Sequence, residues 1–76
     1  MFDLNTVGGM NRAVEWTRGL FERLNDGGMW VVPRSGTMVQ VFKSERRVII
    51  TPGPLPDEAI ADVIKNMGWA VTEKDE

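Results

Sequence analysis

Neither cysteine nor histidine occurs in these 76 residues. Without cysteine there is no disulfide to staple the fold and no thiolate to hold a metal. Without histidine the commonest metal ligand is gone, together with the side chain that ordinarily titrates near neutral pH. No apolar run approaches the ~20 residues of a membrane-spanning helix, so no membrane partner is expected. Met1-Phe2-Asp3-Leu4 has neither the basic start nor the apolar stretch of a signal peptide, which makes the cytoplasm the expected compartment. A basic surplus is missing too. The formal charge is −2, whereas a chain that works by neutralising phosphates carries a positive balance or a segregated basic face.

What remains describes one small globular domain, expected over residues 1–73, with 74–76 as a solvated tail. With 42% apolar and 26% charged residues the chain is too apolar to stay wholly disordered. A core of this size leaves a net stability of only ~3–5 kcal/mol unless something else holds it. The available staples are close packing and self-association, and three tryptophans and five methionines suit either.

Over residues 10–24, Met10, Ala13, Val14, Thr17, Leu20, Phe21 and Leu24 recur at helical spacing and form one stripe of an α-helix. Its start is expected between residues 6 and 11, with Thr6 as a candidate cap. Asn25-Asp26-Gly27-Gly28 should stop it, glycine supplying the left-handed turn. Three strand-like segments follow at 29–33, 37–43 and 47–51, rich in β-branched and aromatic residues. In the second, Met38, Gln40 and Phe42 point one way and Val39, Val41 and Lys43 the other. The third, almost entirely apolar inside, suits a central position in a sheet.

In "TPGPLPDEAIADVIKNMGW" the prolines forbid regular structure up to Leu55, and Pro56 is expected as the first residue of a second helix. Ile60, Val63, Ile64 and Met67 form its buried stripe; Gly68 ends it and folds Trp69 back toward Ile64. Residues 69–72 read as a short last strand, parallel to the third or at an edge, and residues 73–76 as solvated. The expected fold is therefore a small α+β domain of order α-β-β-β-α-β, with a mostly antiparallel sheet and both helices packed on one face.

Within "WVVPRSGTMVQVF", the segment Pro33-Arg34-Ser35-Gly36 is good turn chemistry between two strands. An anion-binding loop would open into a helix, and here a strand follows. The expected reading is a structural turn with an available Arg34; the alternative is that Arg34 and Ser35 together contact a partner. Catalysis is not expected, and neither is a cofactor. Ser35 and Ser44 fall in turns with no histidine to activate them, and the carboxylates fall on helix exteriors, caps or the tail.

Two constellations are candidate binding sites. Arg12, Trp16, Gly19 and Arg23 recur at steps of four, three and four, a second stripe on the first helix roughly 90–120° from its core face. Arginine can stack on tryptophan, and both are enriched at binding hot spots. Alternatively, Trp16 folds over the sheet edge and Gly19 makes room for the N-terminal segment. The second constellation is basic: Lys43, Arg46 and Arg47 around one hairpin, Arg34 on the other, with Phe42 beside them. It could contact nucleic acid or a partner, or merely protect an exposed hairpin from edge pairing. Glu45 within it and the acidic balance of the chain oppose a polyanion.

With its amphipathic "MNRAVEWTRGLFERL", the hairpin "WVVPRSGTMVQVF" and the closing "PDEAIADVIKNMGWAV", the chain resembles small accessory proteins encoded by bacteriophages. The resemblance lies in the whole chain and assigns no residue a role. It implies a regulator or inhibitor that binds a host protein. The expectation is thus a protein-interaction module acting through Arg12, Trp16, Gly19 and Arg23, the alternatives being a small nucleic-acid-binding domain and a subunit that assembles as a homo-oligomer.

Overall fold

The structure, a computed structural model, describes residues 3–74. Its elements run α1 (Val7–Arg23), β1 (Gly28–Val31), β2 (Met38–Phe42), β3 (Arg47–Thr51), α2 (Glu58–Asn66) and β4 (Ala70–Glu73). This is the expected α+β order. The strands lie in sequence order in one sheet, β1 and β3 antiparallel to β2, and β4 parallel to β3. A parallel neighbour requires a crossover, and α2 supplies it.

Thr6 caps α1, its Oγ1 accepting from the Gly9 N–H at 2.9 Å. The same hydroxyl donates to the Asp3 carbonyl, which folds the preceding turn back onto the helix. A Cβ at Gly9 would overlap that carbonyl, so glycine is required there. At the other end the expectation is corrected. Leu24 is extended (φ −82°, ψ 149°), so α1 ends without a left-handed cap; Gly27, at φ +82°, instead serves the turn into β1.

Pro56 is not the first residue of α2. The helix begins at Glu58 with Asp57 as its cap residue, and the Asp57 side chain makes no capping hydrogen bond because it is engaged elsewhere. The C-terminus follows expectation closely. Gly68 (φ +85°) donates to the Lys65 carbonyl and the Trp69 N–H to that of Ile64, the paired bonds of a Schellman motif. Glu73 belongs to β4, and Lys74 donates its N–H to the Ile50 carbonyl at 2.8 Å, so the ladder runs into the expected tail. The remainder of that tail, Asp75 and Glu76, lies outside the described residues.

Alternation along the strands decides which face is covered. Val39, Val41, Val48 and Ile50 are buried and meet Phe21 of α1 and Ile60, Ala61 and Ile64 of α2 in one cluster. Both helices therefore lie on one face. The register sets Met29 opposite Gln40, Val31 opposite Met38 and Phe42 opposite Arg47 on the other face, opposite the two helices.

Candidate functional site

The second stripe of α1 is at the surface. Arg12, Trp16 and Arg23 are exposed and Gly19 half-buried. Among the described residues, a Cβ built at Gly19 meets nothing within 4 Å. Gly19 therefore does not make room for the N-terminal segment; Gly9 does. Arg12 and Arg23 make no ion pair among the described residues, whereas Arg18, just off the stripe, reaches Glu15 at 3.9 Å.

Trp16 does fold over the sheet edge. Its ring centroid lies 5.8 Å from that of Trp30 on edge strand β1, with the planes inclined at 58°. Trp30 meets Phe21 edge-on at 6.1 Å, and Phe21 meets Trp69 at 5.2 Å. A line of four rings thus runs from the surface through the buried Phe21 to the half-buried Trp69. Its outer member remains 52% exposed. Beside it the apolar walls of Leu4, Ala13, Val32, Ile60 and Val63 enclose a groove of about 540 Å³, with Arg34 and Asp57 among the residues that line it. One indole is therefore fixed by a second at the mouth of an apolar groove, with Arg12 one turn before it and Arg23 two turns after it along α1.

The β1–β2 turn is more firmly held than its sequence suggests. Ser35 and Thr37 are buried. Ser35 Oγ lies 2.9 Å from Asp57 Oδ2 and 2.8 Å from Thr37 Oγ1. A carboxylate can only accept, so the Ser35 proton goes to Asp57 and the Thr37 hydroxyl donates to Ser35. Ser35 is consequently engaged within the fold, as a structural turn requires, and the alternative that it contacts a partner is set aside. Arg34 beside it is exposed.

The basic residues do not gather into one patch. Arg34 sits on the β1–β2 turn and Lys43, Arg46 and Arg47 at the opposite end of β2, a strand length of ~17 Å away. Lys43 Nζ donates to the Glu22 carbonyl. Arg47 pairs with Glu45 at 3.2 Å and lies over the Phe42 ring at 4.2 Å. Arg46 is exposed, at the left-handed φ of 52° that closes the turn.

Next to this hairpin, the Ser44 hydroxyl and N–H both donate to the Asp26 carboxylate. The hydroxyl bond is the chief cause that holds the Asp26 pKa below its ordinary value. A carboxyl depressed in the folded state adds stability above its unfolded pKa and loses it as pH falls through the folded one. Ser44→Ala is expected to move the Asp26 titration upward, read from its carboxyl carbon by NMR. An unmoved titration would assign the effect first to the Ser44 backbone N–H, which the variant keeps, and then to Lys43.

Among the described residues no cluster of three acidic side chains could hold a metal ion, and no helix is long and apolar enough to cross a membrane. Comparison with known protein families, curated proteins and solved structures found no match to this chain. Sequence spacing finds the stripe on α1 but misses Trp30 as its partner and the groove beside it. Trp30 alternates with Met29 and Val31, which places it on the helix-covered side of β1; that alternation was the available signal.

Proposed function

We propose that this chain is a non-enzymatic protein-interaction domain, a regulator or inhibitor of the phage type that binds a host protein. It docks through Trp16 and the adjoining groove, with Arg12 and Arg23 as flanking contacts and Gly19 permitting close approach. The observation that carries this reading is the half-exposed Trp16 indole resting on Trp30 at the mouth of an apolar groove. A large apolar ring held in place before binding loses little freedom on docking, so more of its burial is realised as affinity. Covering the target's own working surface then requires no chemistry from this chain.

The test is capture from nuclease-treated bacterial lysate with tagged parent and Trp16→Ala. Trp16 is half exposed, so the variant should keep the parent's circular dichroism. A stoichiometric protein held by the parent and lost from the variant, by roughly 30-fold or more in affinity, is expected for a hot-spot tryptophan. Equal capture by both would remove the patch. Recovery of nucleic acid in untreated lysate would redirect attention to Lys43, Arg46 and Arg47.

A further inference from the structure

Along β1, residues whose backbone bonds to β2 alternate with residues whose backbone turns the other way. The Val32 N–H donates to the Thr37 carbonyl at 2.8 Å. At the other end Gly27, at φ +82°, donates to the Val41 carbonyl in a bulge that leaves Gly28 as the residue paired with Val41. Gly28 and Val32 thus turn to β2, and Trp30 between them does so too. The N–H and C=O groups of Met29 and Val31 therefore point outward. Among the described residues β1 has β2 as its one strand partner, and none of the hydrogen bonds reaches those outward groups. The open edge is short. The bulge closes one end, and Pro33, which has no N–H, closes the other.

We propose that the target enters as an extended peptide segment that adds a strand along β1 with one side chain in the Trp16 groove, which rests on the docking at Trp16 proposed above. Outward N–H and C=O groups at strand spacing are matched by another extended backbone. A helix cannot match them, because its own turns already use those groups. In antiparallel pairing, slightly the stronger kind, one residue of the segment exchanges two bonds with Met29 and the next but one exchanges two with Val31. Their side chains then lie beside those of Met29 and Val31, which are each 50% exposed. The residue between them stands opposite Trp30 and points to the helix side, toward the groove that Trp16, Trp30, Val32 and Ile60 line. One occupant thus meets the open backbone, the two exposed side chains and the groove, whereas a helix in the groove would meet the groove alone. The segment that fits has three apolar residues in a row, the middle one the largest. Backbone bonds give such a ligand affinity and the side-chain positions give it specificity.

A displayed library of random peptides, selected on the immobilised parent chain, is the probe, and the enriched peptide is then synthesised. Val31→Pro removes one outward N–H and no bond to β2, so its circular dichroism should match the parent's. Affinity for the peptide is expected to fall at least ~10-fold in Val31→Pro and in Trp16→Ala. The Met29 and Val31 amides should gain protection from hydrogen exchange on binding, and N-methylation should weaken the peptide at alternate residues. Those two readouts use the parent chain and decide the matter even if Val31→Pro fails to fold. Loss in Trp16→Ala alone, with both amides unprotected, would overturn the added strand and leave the docking at Trp16 in place. Loss in Val31→Pro alone, with the amides protected, would support the added strand and remove Trp16 from the site. A library that yields no peptide would overturn the proposal. So would amides that become protected in the parent alone as its concentration rises, since a second copy would then occupy the edge.

Discussion

Phe21→Ala is expected to leave most of the chain unfolded at 25 °C. Phe21 is 1% exposed and stands between Trp30 and Trp69, its ring contacting both. Among the described residues it is the largest of the fully buried side chains. Truncating a buried phenylalanine costs ~3–5 kcal/mol, the lost transfer energy plus the cavity left behind. A domain of this size has a net stability of about that amount, so the folded population is nearly exhausted. Urea titration followed by far-ultraviolet circular dichroism provides the check. Phe21→Leu fills part of the cavity and should retain a cooperative transition with a lower midpoint. A Phe21→Ala chain with the parent's midpoint would show that the ring line is not what joins the two layers.

Gly53→Ala has the next largest expected effect, through a different cause. Gly53 passes so close to the β1–β2 turn that an added Cβ would sit 2.5 Å from the Ser35 carbonyl oxygen and 2.6 Å from the Thr37 nitrogen. Both are backbone atoms and cannot swing aside. The displaced turn carries the buried contacts of Ser35 with Thr37 and Asp57 and the bond from the Leu55 N–H to the Ser35 carbonyl. Overpacking of this kind costs ~1–3 kcal/mol, and leaving buried polar groups without partners adds ~1–3 more. A fall in thermal midpoint of ten degrees or more is expected, since 1 kcal/mol shifts a domain of this length by ~4–8 °C. Gly19→Ala is the internal control. Its Cβ meets open space within a helix, so that variant should be slightly more stable than the parent. If Gly53→Ala melts with the parent, the loop has room that its geometry denies.

Those two positions also mark how far the amino-acid order can be read. Phe21 announces itself, because its spacing from Ala13, Thr17 and Leu24 is a local rhythm that the helix obeys. The same holds for Val39 and Val41, whose alternation sets them on one face that the structure then buries, and for Gly68 followed by Trp69. Gly53 carries no such signal. Its constraint comes from Ser35 and Thr37, brought to it only when the sheet is assembled, and no local propensity encodes that approach. Asp57 is a similar case: in the structure it stands at the cap position of α2, yet the buried Ser35 hydroxyl claims its carboxylate. The stripe of Arg12, Trp16, Gly19 and Arg23 was legible as a helix face. That Trp16 leans on Trp30 was not, because the pairing depends on how the helix crosses the edge of the sheet.

The parallel pairing of β4 with β3 has a consequence for biosynthesis. The chain emerges from the ribosome N-terminus first, at ~5–20 residues per second. Helix α1 is made early, yet its apolar stripe is buried against strands β2 and β3 and against Ile64 of α2. The antiparallel β1–β2–β3 meander can close as soon as it is released, since its partners are neighbours in sequence. The parallel ladder must wait for α2 and the residues beyond it. For an interval on the order of seconds, then, Phe21 and Leu24 have strands to rest on but no second helix, and β3 presents a bare edge to any chaperone within reach.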